Sequence, residues 1–322
     1  MAVTVQVPVE KAAGAIREVT LGATAADGGT RTSTVTVGGE RALPFLHFDA
    51  PVPHRPVVAV EIHDQNPVDW ASHLRDTWGD VLSDPAEWAK AAVQAGADLI
   101  VLRLTSTHPD QQNRSPEDGA ATVKAVLNAV GVPLIVYGPG QAQRDNEVLL
   151  KVSEAAAGER IALGDIENTN YRTIVAAALA NGHCVIAQSP IDVNMAKQCN
   201  ILATDMGLPA ERLIMDPTTG ALGYGLEYTY SVMERLRLSA FQNDGMTQFP
   251  MICTVGEETW RQKESKPLEG VPEAWGQLSE RSVAWEVLTA TTLLQAGANI
   301  LVLRHPESVK QVKLAIDKLM MA

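Results

Sequence analysis

Cysteine is scarce in this chain: three in 322 residues, Cys184, Cys199 and Cys253. They stand far apart, form no C-x-x-C pair, and are too few to ligate an iron–sulfur cluster. Reduced thiols in a cytoplasmic protein are the simple expectation. Aromatic residues make up only 5%, and no run of Lys and Arg interrupts a formal net charge of −12. So acidic a chain, without a basic patch, is a poor match for nucleic acid or an anionic membrane surface. No apolar stretch approaches the roughly 20 residues needed to cross a bilayer. The opening MAVTVQVPVEKAAG has no basic segment followed by an apolar core, so it does not read as a signal peptide.

Familiar catalytic signatures are missing as well. No Ser sits in a G-x-S-x-G elbow. No Lys ends any of the buried-strand runs described below, which argues against Schiff-base chemistry. Hydrophobic residues are plentiful at 46%, enough for one large core with an extension, or for two domains.

Two stretches nearly repeat each other. QAGADLIVLRL runs from Gln94 to Leu104 and QAGANILVLRH from Gln295 to His305, identical at seven of eleven positions. Gln-Ala-Gly-Ala reads as a helix end, with Gly where the chain leaves through a left-handed residue. The apolar runs Leu99–Leu102 and Ile300–Leu303 lack polar alternation, the mark of a strand covered on both faces. Each ends on an arginine, Arg103 or Arg304, where the chain regains water. Shared ancestry and convergence of αβ turns both account for the wording, and both predict further units.

Those units are present. Strand runs begin at Val57–Glu61, Leu99–Leu102, Leu134–Tyr137, Ile161–Leu163, Cys184–Ala187, Leu213–Asp216, Met251–Thr254 and Ile300–Leu303. Helical periodicity separates them over Pro85–Ala95, Pro116–Val130, Arg144–Ala157, Asn170–Ala180, Asp192–Met206, Tyr228–Phe241 and Glu280–Gln295, with a last helix from Pro306 to about Met320. Eight strand–helix pairs match a (β/α)₈ TIM barrel over residues 57–322. A doubly wound open sheet is the alternative, and the uninterrupted count of eight favours the barrel. In a closed ring the two near-copies open the second and eighth strands, on either side of the first. Residues 1–56 stand outside the repeat. Alternating Val, Thr and Leu on both sides of Asp27-Gly28-Gly29 predict an N-terminal β-hairpin extension, capping the barrel floor or reaching a partner. Thr30, Thr32, Thr34 and Thr36 read as a solvated strand face.

Loop length is uneven. The αβ loops are short, whereas those after the first, second, sixth and seventh strands are long. All of these lie at the carboxyl ends of strands, where barrels place their ligands. Near those ends stand Glu61, His63, Asp64, Asp165, Glu167, Asp216, Arg304 and His305. Carboxylates and a His on one rim suit a divalent metal, but their spacing sets no geometry and the same residues serve as caps and loop anchors. His183, at an amino end, reads as structural. The richest stretch is DPTTGALGYGLE, Asp216 to Glu227. Its glycines and threonines leave backbone amides open before a helix, for a flat or anionic ligand. A tight turn requiring positive φ is the competing reading. Trp70, Trp78, Trp260 and Trp275 fall in the loops after the first and seventh strands, either packing on one another or forming an interface.

SPIDVNMAKQCNIL (Ser189–Leu202), MDPTTGALGYGLEYTYSVMERLRLSAFQND (Met215–Asp244), FPMICTVGEETW (Phe249–Trp260) and AWEVLTATTLLQAGANILVLRHPESV (Ala284–Val309) together resemble the small subunit of the corrinoid/iron–sulfur protein. This is the delta subunit family of acetyl-CoA decarbonylase/synthase. LGATAADGGTRTSTVTVGGERALPF near the N-terminus resembles it too, so the likeness spans essentially the whole chain. The resemblance implies a barrel paired with a large subunit that carries a cobamide (corrinoid) and a [4Fe–4S] cluster. In such a heterodimer the barrel's carboxyl-end face covers the cobamide. A methyl group passes from methyltetrahydrofolate, through a methyltransferase, to acetyl-CoA synthase in the reductive acetyl-CoA (Wood–Ljungdahl) pathway. No His here has Asp two residues before it and Gly three after it, so the Asp-x-His-x-x-Gly cobamide-ligand motif is absent. On position, Thr218, Thr219, Gly220, Leu222, Gly223 and Tyr224 are expected to face the corrinoid, with Thr254, Arg304 and His305 as further rim candidates. No catalytic residue is assigned. A different class remains open: a pterin-dependent methyltransferase, with Asp165, Asn168 and Asp216 as ring-binding groups. So does a purely structural barrel subunit.

Overall fold

A computed structural model describes residues 8–267 and 270–321. The first seven residues of the expected extension, and Leu268-Glu269 of the long loop after the seventh barrel strand, lie outside the described residues. Two short strands come first, β1 (Val19–Leu21) and β2 (Val35–Val37), paired antiparallel. Eight parallel strands follow: β3 (Val57–His63), β4 (Leu99–Arg103), β5 (Leu134–Tyr137), β6 (Ala162–Ile166), β7 (Cys184–Gln188), β8 (Leu213–Asp216), β9 (Ile252–Cys253) and β10 (Ile300–Leu303). The helices are α1 (Ser72–Trp78), α2 (Pro85–Gln94), α3 (Pro116–Ala129), α4 (Ala142–Ala155), α5 (Tyr171–Asn181), α6 (Val193–Asp205), α7 (Leu226–Phe241), α8 (Val255–Arg261), α9 (Leu278–Gln295) and α10 (Pro306–Met320). No described helix is long and apolar enough to cross a membrane.

The strands run in one ring. Each pairs in parallel with its neighbours, and β3 lies between β4 and β10. A single bridge, Met215 to Met251, closes β8 onto β9, with the Met215 amide donating to the Pro250 carbonyl at 2.9 Å. The expected TIM barrel is therefore the observed fold, and the open doubly wound sheet is not. Apolar runs without alternation form because both strand faces are covered. Val57, Ala59, Val101, Ile135, Ile186 and Val302 fill the interior. Val58, Val60, Ile100, Leu102 and Val136 pack outward against the helices.

The repeated wording does equal work at both places. Gly96 (φ +104°) and Gly297 (φ +98°) carry the chain out of α2 and α9. The residue two positions later then grips the preceding strand. The Asp98 carboxylate accepts from the Val58 amide at 2.9 Å, and Asn299 Oδ1 accepts from the Met251 amide at 3.0 Å. Gly297 also has a steric reason, since a Cβ there would sit 2.6 Å from Arg237 Nε.

Two helices were not expected. Both α1 and α8 lie inside stretches read as long loops. The signal for α1 is the i, i+4, i+8 series Trp70, Leu74, Trp78, all buried. In α8 the buried set is Val255, Gly256, Thr259 and Trp260. Seven residues apiece is too short for periodicity to stand out from a polar loop.

The β1–β2 pair plugs the barrel floor. Val19, Leu21, Val35 and Val37 join the interior cluster beside Val57, Leu99 and Ile300 at the amino ends of the barrel strands. Burying such side chains stabilises by about 1.5–3 kcal/mol each. The plug is fastened by Arg31, which is 4% exposed. Its Nη1 and Nη2 donate to the carbonyls of Val130 (2.5 Å) and Leu127 (2.6 Å) at the carboxyl end of α3, and Nε pairs with Glu159 at 2.9 Å. A cation there completes helix carbonyls that lack intrahelical partners. The threonine row behaves as a solvated face: Thr30, Thr32 and Thr34 are exposed. His183 is buried and bonded to the Ser153 carbonyl at 3.0 Å, a structural role.

Arg31→Ala strands the Glu159 carboxylate and the two α3 carbonyls together. Urea denaturation of the variant is expected to show a loss of about 3–5 kcal/mol, as for a broken buried ion pair. A loss below about 1 kcal/mol would mean that the plug is held by its apolar face alone.

Candidate functional site

Strand alternation builds a polar layer above the apolar barrel interior. Extending the inward series by two residues on each strand reaches Glu61, Arg103, Tyr137, Gln188, Asp216 and Arg304. Glu61 is fully buried. Arg304 Nε and Nη2 reach its Oε1 at 3.0 and 2.5 Å, His63 Nε2 lies 3.0 Å from the same atom, and Arg103 Nε stands 3.1 Å from Oε2. Burial alone would raise the Glu61 pKa, yet the guanidiniums of Arg304 and Arg103 hold it well below the usual carboxylate range. Arg103 also pairs with Glu257 on α8 at 2.5 Å and lies over the Tyr137 ring, 4.7 Å from its centroid. The two arginines expected to regain water thus turn inward instead, because a buried carboxylate on β3 stands between them.

Half of the mouth is covered. The long loop after β3 lays Trp70 and Trp78 over Trp88, and the Arg304 guanidinium sits 4.4 Å from the Trp70 ring centroid. Trp78 Nε1 donates to the Arg304 carbonyl at 2.9 Å. His305 caps α10, stacks on Trp260 with centroids 5.8 Å apart, and is pushed down to about 4, first by burial and then by His73. Asp64 is spent on the next loop, accepting from the Ser106 amide at 2.9 Å and from the Ser106 hydroxyl. Trp70, Trp78 and Trp260 are therefore self-packing anchors, while Trp275 stays 45% exposed.

The loop after β8 divides into two parts. Thr219 and Gly220 are buried, and a Cβ on Gly220 would come within 2.5 Å of the Gly225 backbone. Thr218 (φ +62°) donates its amide to Asp216 Oδ1 at 2.8 Å and its hydroxyl to the Ser189 carbonyl at 2.7 Å. Leu222 is half-buried, its carbonyl taking the Trp285 indole proton at 3.0 Å. Gly223 (φ +77°) and Tyr224 project outward. The Tyr224 hydroxyl donates to Glu264 at 2.7 Å, a bond that pushes its pKa up to about 12. Positive φ and open exposure coexist here, so the turn reading and the contact reading apply to different residues. Thr254 is buried at the start of α8, on the same rim as Arg304 and His305.

The other half of the mouth is open, because the loops after β5, β6 and β7 are short. Between them lies a cleft of about 140 Å³ lined by Arg103, Tyr137, Asp145, Asp165, Asn170 and Gln188, among others. Several buried polar atoms in this part of the barrel have no protein partner: Tyr137 Oη, Asp165 Oδ1, Ser189 Oγ, Asp216 Oδ2 and Thr219 Oγ1. Burial pushes Asp216 up to about 7 and Asp145 up to about 6. Burial, and then the charge of Asp216, push Asp165 well above the carboxylate range. Asn170 braces Asp165, donating to its carbonyl at 2.9 Å while accepting from the Glu167 amide at 2.7 Å. Asn168 is exposed on the turn. No described group of three or more His, Cys, Asp or Glu residues is placed to hold a metal ion. Tyr137 and Gln188 escaped the sequence reading. The signal was the two-residue period from Ile135 and Ile186, masked by the treatment of each strand as uniformly apolar.

The description "CO dehydrogenase/acetyl-CoA synthase delta subunit" belongs to a family that matches residues 18–314. The acetyl-CoA decarbonylase/synthase complex subunit delta of Archaeoglobus fulgidus is 40% identical over 310 residues, covering 94% of this chain and 68% of that protein. Its counterpart in Methanopyrus kandleri is 39% identical, covering 94% and 75%. Among solved structures, a dihydropteroate synthase from Coxiella burnetii in complex with pteroic acid superimposes with a TM-score of 0.56 at 13% identity, covering 83% of this chain and 95% of that one. A Yersinia pestis dihydropteroate synthase gives 0.55 at 18%, covering 83% and 93%. At such identities the structural likeness speaks for the fold.

Two outcomes test the polar layer. Glu61→Gln leaves Arg103 and Arg304 facing each other in the interior, and a stability loss of about 3–5 kcal/mol is expected by denaturant titration. Asp216→Asn should act in the opposite direction. The folded chain keeps the Asp216 proton between pH 3.8 and about 7, where the unfolded chain has lost it, so wild-type stability falls as pH rises across that window. The amide does not titrate. At pH 8 the variant should be more stable by roughly 1–3 kcal/mol, with the advantage shrinking toward pH 4. A pH-independent difference would contradict the burial of an ionising carboxyl.

Proposed function

The chain belongs to the CO dehydrogenase/acetyl-CoA synthase delta subunit family, and on that premise we propose that it is the barrel-shaped small half of a corrinoid/iron–sulfur methyl carrier. A larger subunit holds the cobamide and the [4Fe–4S] cluster. The carboxyl-end face of this barrel covers the cobamide while a methyl group moves from methyltetrahydrofolate, through a methyltransferase, to acetyl-CoA synthase. The chain acts in the cytoplasm as a non-catalytic partner in the heterodimer.

One observation carries the reading: buried polar atoms left without partners at the carboxyl-end mouth. Each such atom costs about 1–3 kcal/mol until something bonds it, and a polar body laid across the mouth supplies that bonding. The thiols support the division of labour. Cys184, Cys199 and Cys253 are all buried. Burial pushes the first two up to about 12 and the third higher still, far from the thiolate form that clusters need. The residues present therefore suit a cover for a cobamide whose cobalt, when bound, supplies the methyl-carrying chemistry.

This chain's own part is to hold, orient and keep dry. Gly223 and Tyr224 stand outermost in the loop after β8, with the Tyr224 ring fixed by Glu264. Leu222 lies behind them, and Thr218, Thr219 and Gly220 set the loop's path. Thr254, Arg304 and His305 continue the rim, where the Trp260 stack excludes water.

A second reading is a pterin-dependent methyltransferase. It is favoured by two acids with buried, unpartnered oxygens, the half-buried Asp165 and the buried Asp216, in a barrel like that of a dihydropteroate synthase solved with pteroic acid. Against it, Asn168 points to solvent and Asn170 is committed to its brace.

Expression alone and beside the large subunit separates the two. Corrinoid and iron–sulfur absorbance are expected only in a one-to-one complex, with the lone chain colourless. A lone chain that binds methyltetrahydrofolate would make it the methyltransferase. Within the complex, Gly223→Asp or Tyr224→Glu should loosen corrinoid retention while leaving the lone chain's Tm nearly unchanged. Equal losses in both would reduce the loop to a tight turn.

A further inference from the structure

We infer that the open cleft at the ends of β5, β6 and β7 receives a carboxamide-bearing arm of the cobamide, with Asp165, Tyr137 and Arg103 as its hydrogen-bonding partners. The inference rests on the reading of this barrel as a cobamide cover, and it assigns a site distinct from the rim after β8, β9 and β10.

The first argument is access. The connections after β3, β4 and β8, and the segment from α8 to α9 that follows β9, are long, whereas residues 138–141, 167–170 and 189–192 are the whole of the connections after β5, β6 and β7. A broad, flat body resting on the long connections cannot descend to the strand ends, but a side arm hanging from its edge can. The cleft of about 140 Å³ suits such an arm.

The second argument is bonding capacity. Tyr137 is 1% exposed and lines the cleft with its hydroxyl unpartnered. Asp165 Oδ1 is unpartnered in the same wall. Arg103 is held from behind by Glu61 (3.1 Å) and Glu257 (2.5 Å), so its guanidinium is fixed where it borders the cleft. Donors and acceptors are therefore both waiting. Gly138 lets Asp145 pack closely at the strand end, since a Cβ there would fall 2.2 Å from Asp145 Oδ1.

Charge narrows the ligand class. Asp145 and Glu167 in the lining repel a phosphate or carboxylate. The Arg103 cation opposes a bare ammonium. Burial raises both Asp165 and Asp216, and the charge of Asp216 raises Asp165 further. A neutral group with both N–H and C=O remains, and a primary carboxamide is the smallest that offers two donors and an acceptor. Its N–H groups satisfy Asp165 and the Tyr137 oxygen, and its carbonyl accepts from Arg103.

The test uses the co-expressed heterodimer, with Asp165→Ala and Tyr137→Phe made separately. Cobamide dissociation is followed by loss of visible absorbance from the protein fraction after gel filtration. Each variant is expected to release cobamide about tenfold faster than wild type, with circular dichroism and Tm of the lone chain preserved. Tyr137→Phe removes one oxygen only, so it stands as the test if Asp165→Ala fails to fold. Wild-type release rates in both variants would overturn the inference and leave the cover reading intact. A wild-type heterodimer without corrinoid would overturn both. Binding of methyltetrahydrofolate to the lone chain, abolished by Asp165→Ala, would overturn the inference in favour of a pterin site.

Discussion

The Glu61 carboxylate is the constraint on which the upper half of this barrel depends. It is buried on β3, and two arginines from the neighbouring strands, Arg103 of β4 and Arg304 just past β10, converge on it. Three charges in a barrel interior are costly to desolvate. They persist because each is answered: Glu61 by two guanidiniums and His63, Arg103 by Glu257 and the Tyr137 face, Arg304 by the Trp70 face. A network of such closely opposed charges ties together the ends of three neighbouring strands. It also explains the near-repeat. The matched stretches end on arginines because they flank the same carboxylate, and their Asp98 and Asn299 grip the adjacent strand in the same way.

Below that layer the barrel is an apolar cylinder with an open lower end, and the N-terminal hairpin closes it. The plug is apolar where it meets the strands and polar where it meets solvent. Arg31 ties its loop to the end of α3, so the interior is sealed by packing and anchored by charge.

The mouth is where packing stops short. Tryptophans from the loop after β3, together with α8, cover one side, and the other side is left with strand ends, short loops and unpaired polar atoms. Of these atoms, Tyr137 Oη and Asp165 Oδ1 belong to residues that line the open cleft. The chain belongs to a family of complex subunits.

The fold was legible in the sequence because strand and helix periods are local. Leu134–Tyr137, Leu213–Asp216 and Pro306–Met320 run where pattern alone placed them, and the count of eight favoured the ring. The hairpin was equally readable from Asp27-Gly28-Gly29 between alternating runs. The site was only half legible. The loop Asp216–Glu227 stood out by composition, yet nothing local distinguished the buried Thr219 and Gly220 from the exposed Gly223 and Tyr224. Arg103 and Arg304 looked like residues returning to water, since a strand does not reveal which charges stand on the strands beside it. Tyr137 and Gln188 looked like the tail of apolar runs. Period and composition are set by neighbours along the chain, so the sequence by itself determined the elements and their order. Burial, pairing and pKa are set by neighbours in space, and only the closed barrel decided which polar residues meet at the mouth and which remain without a partner.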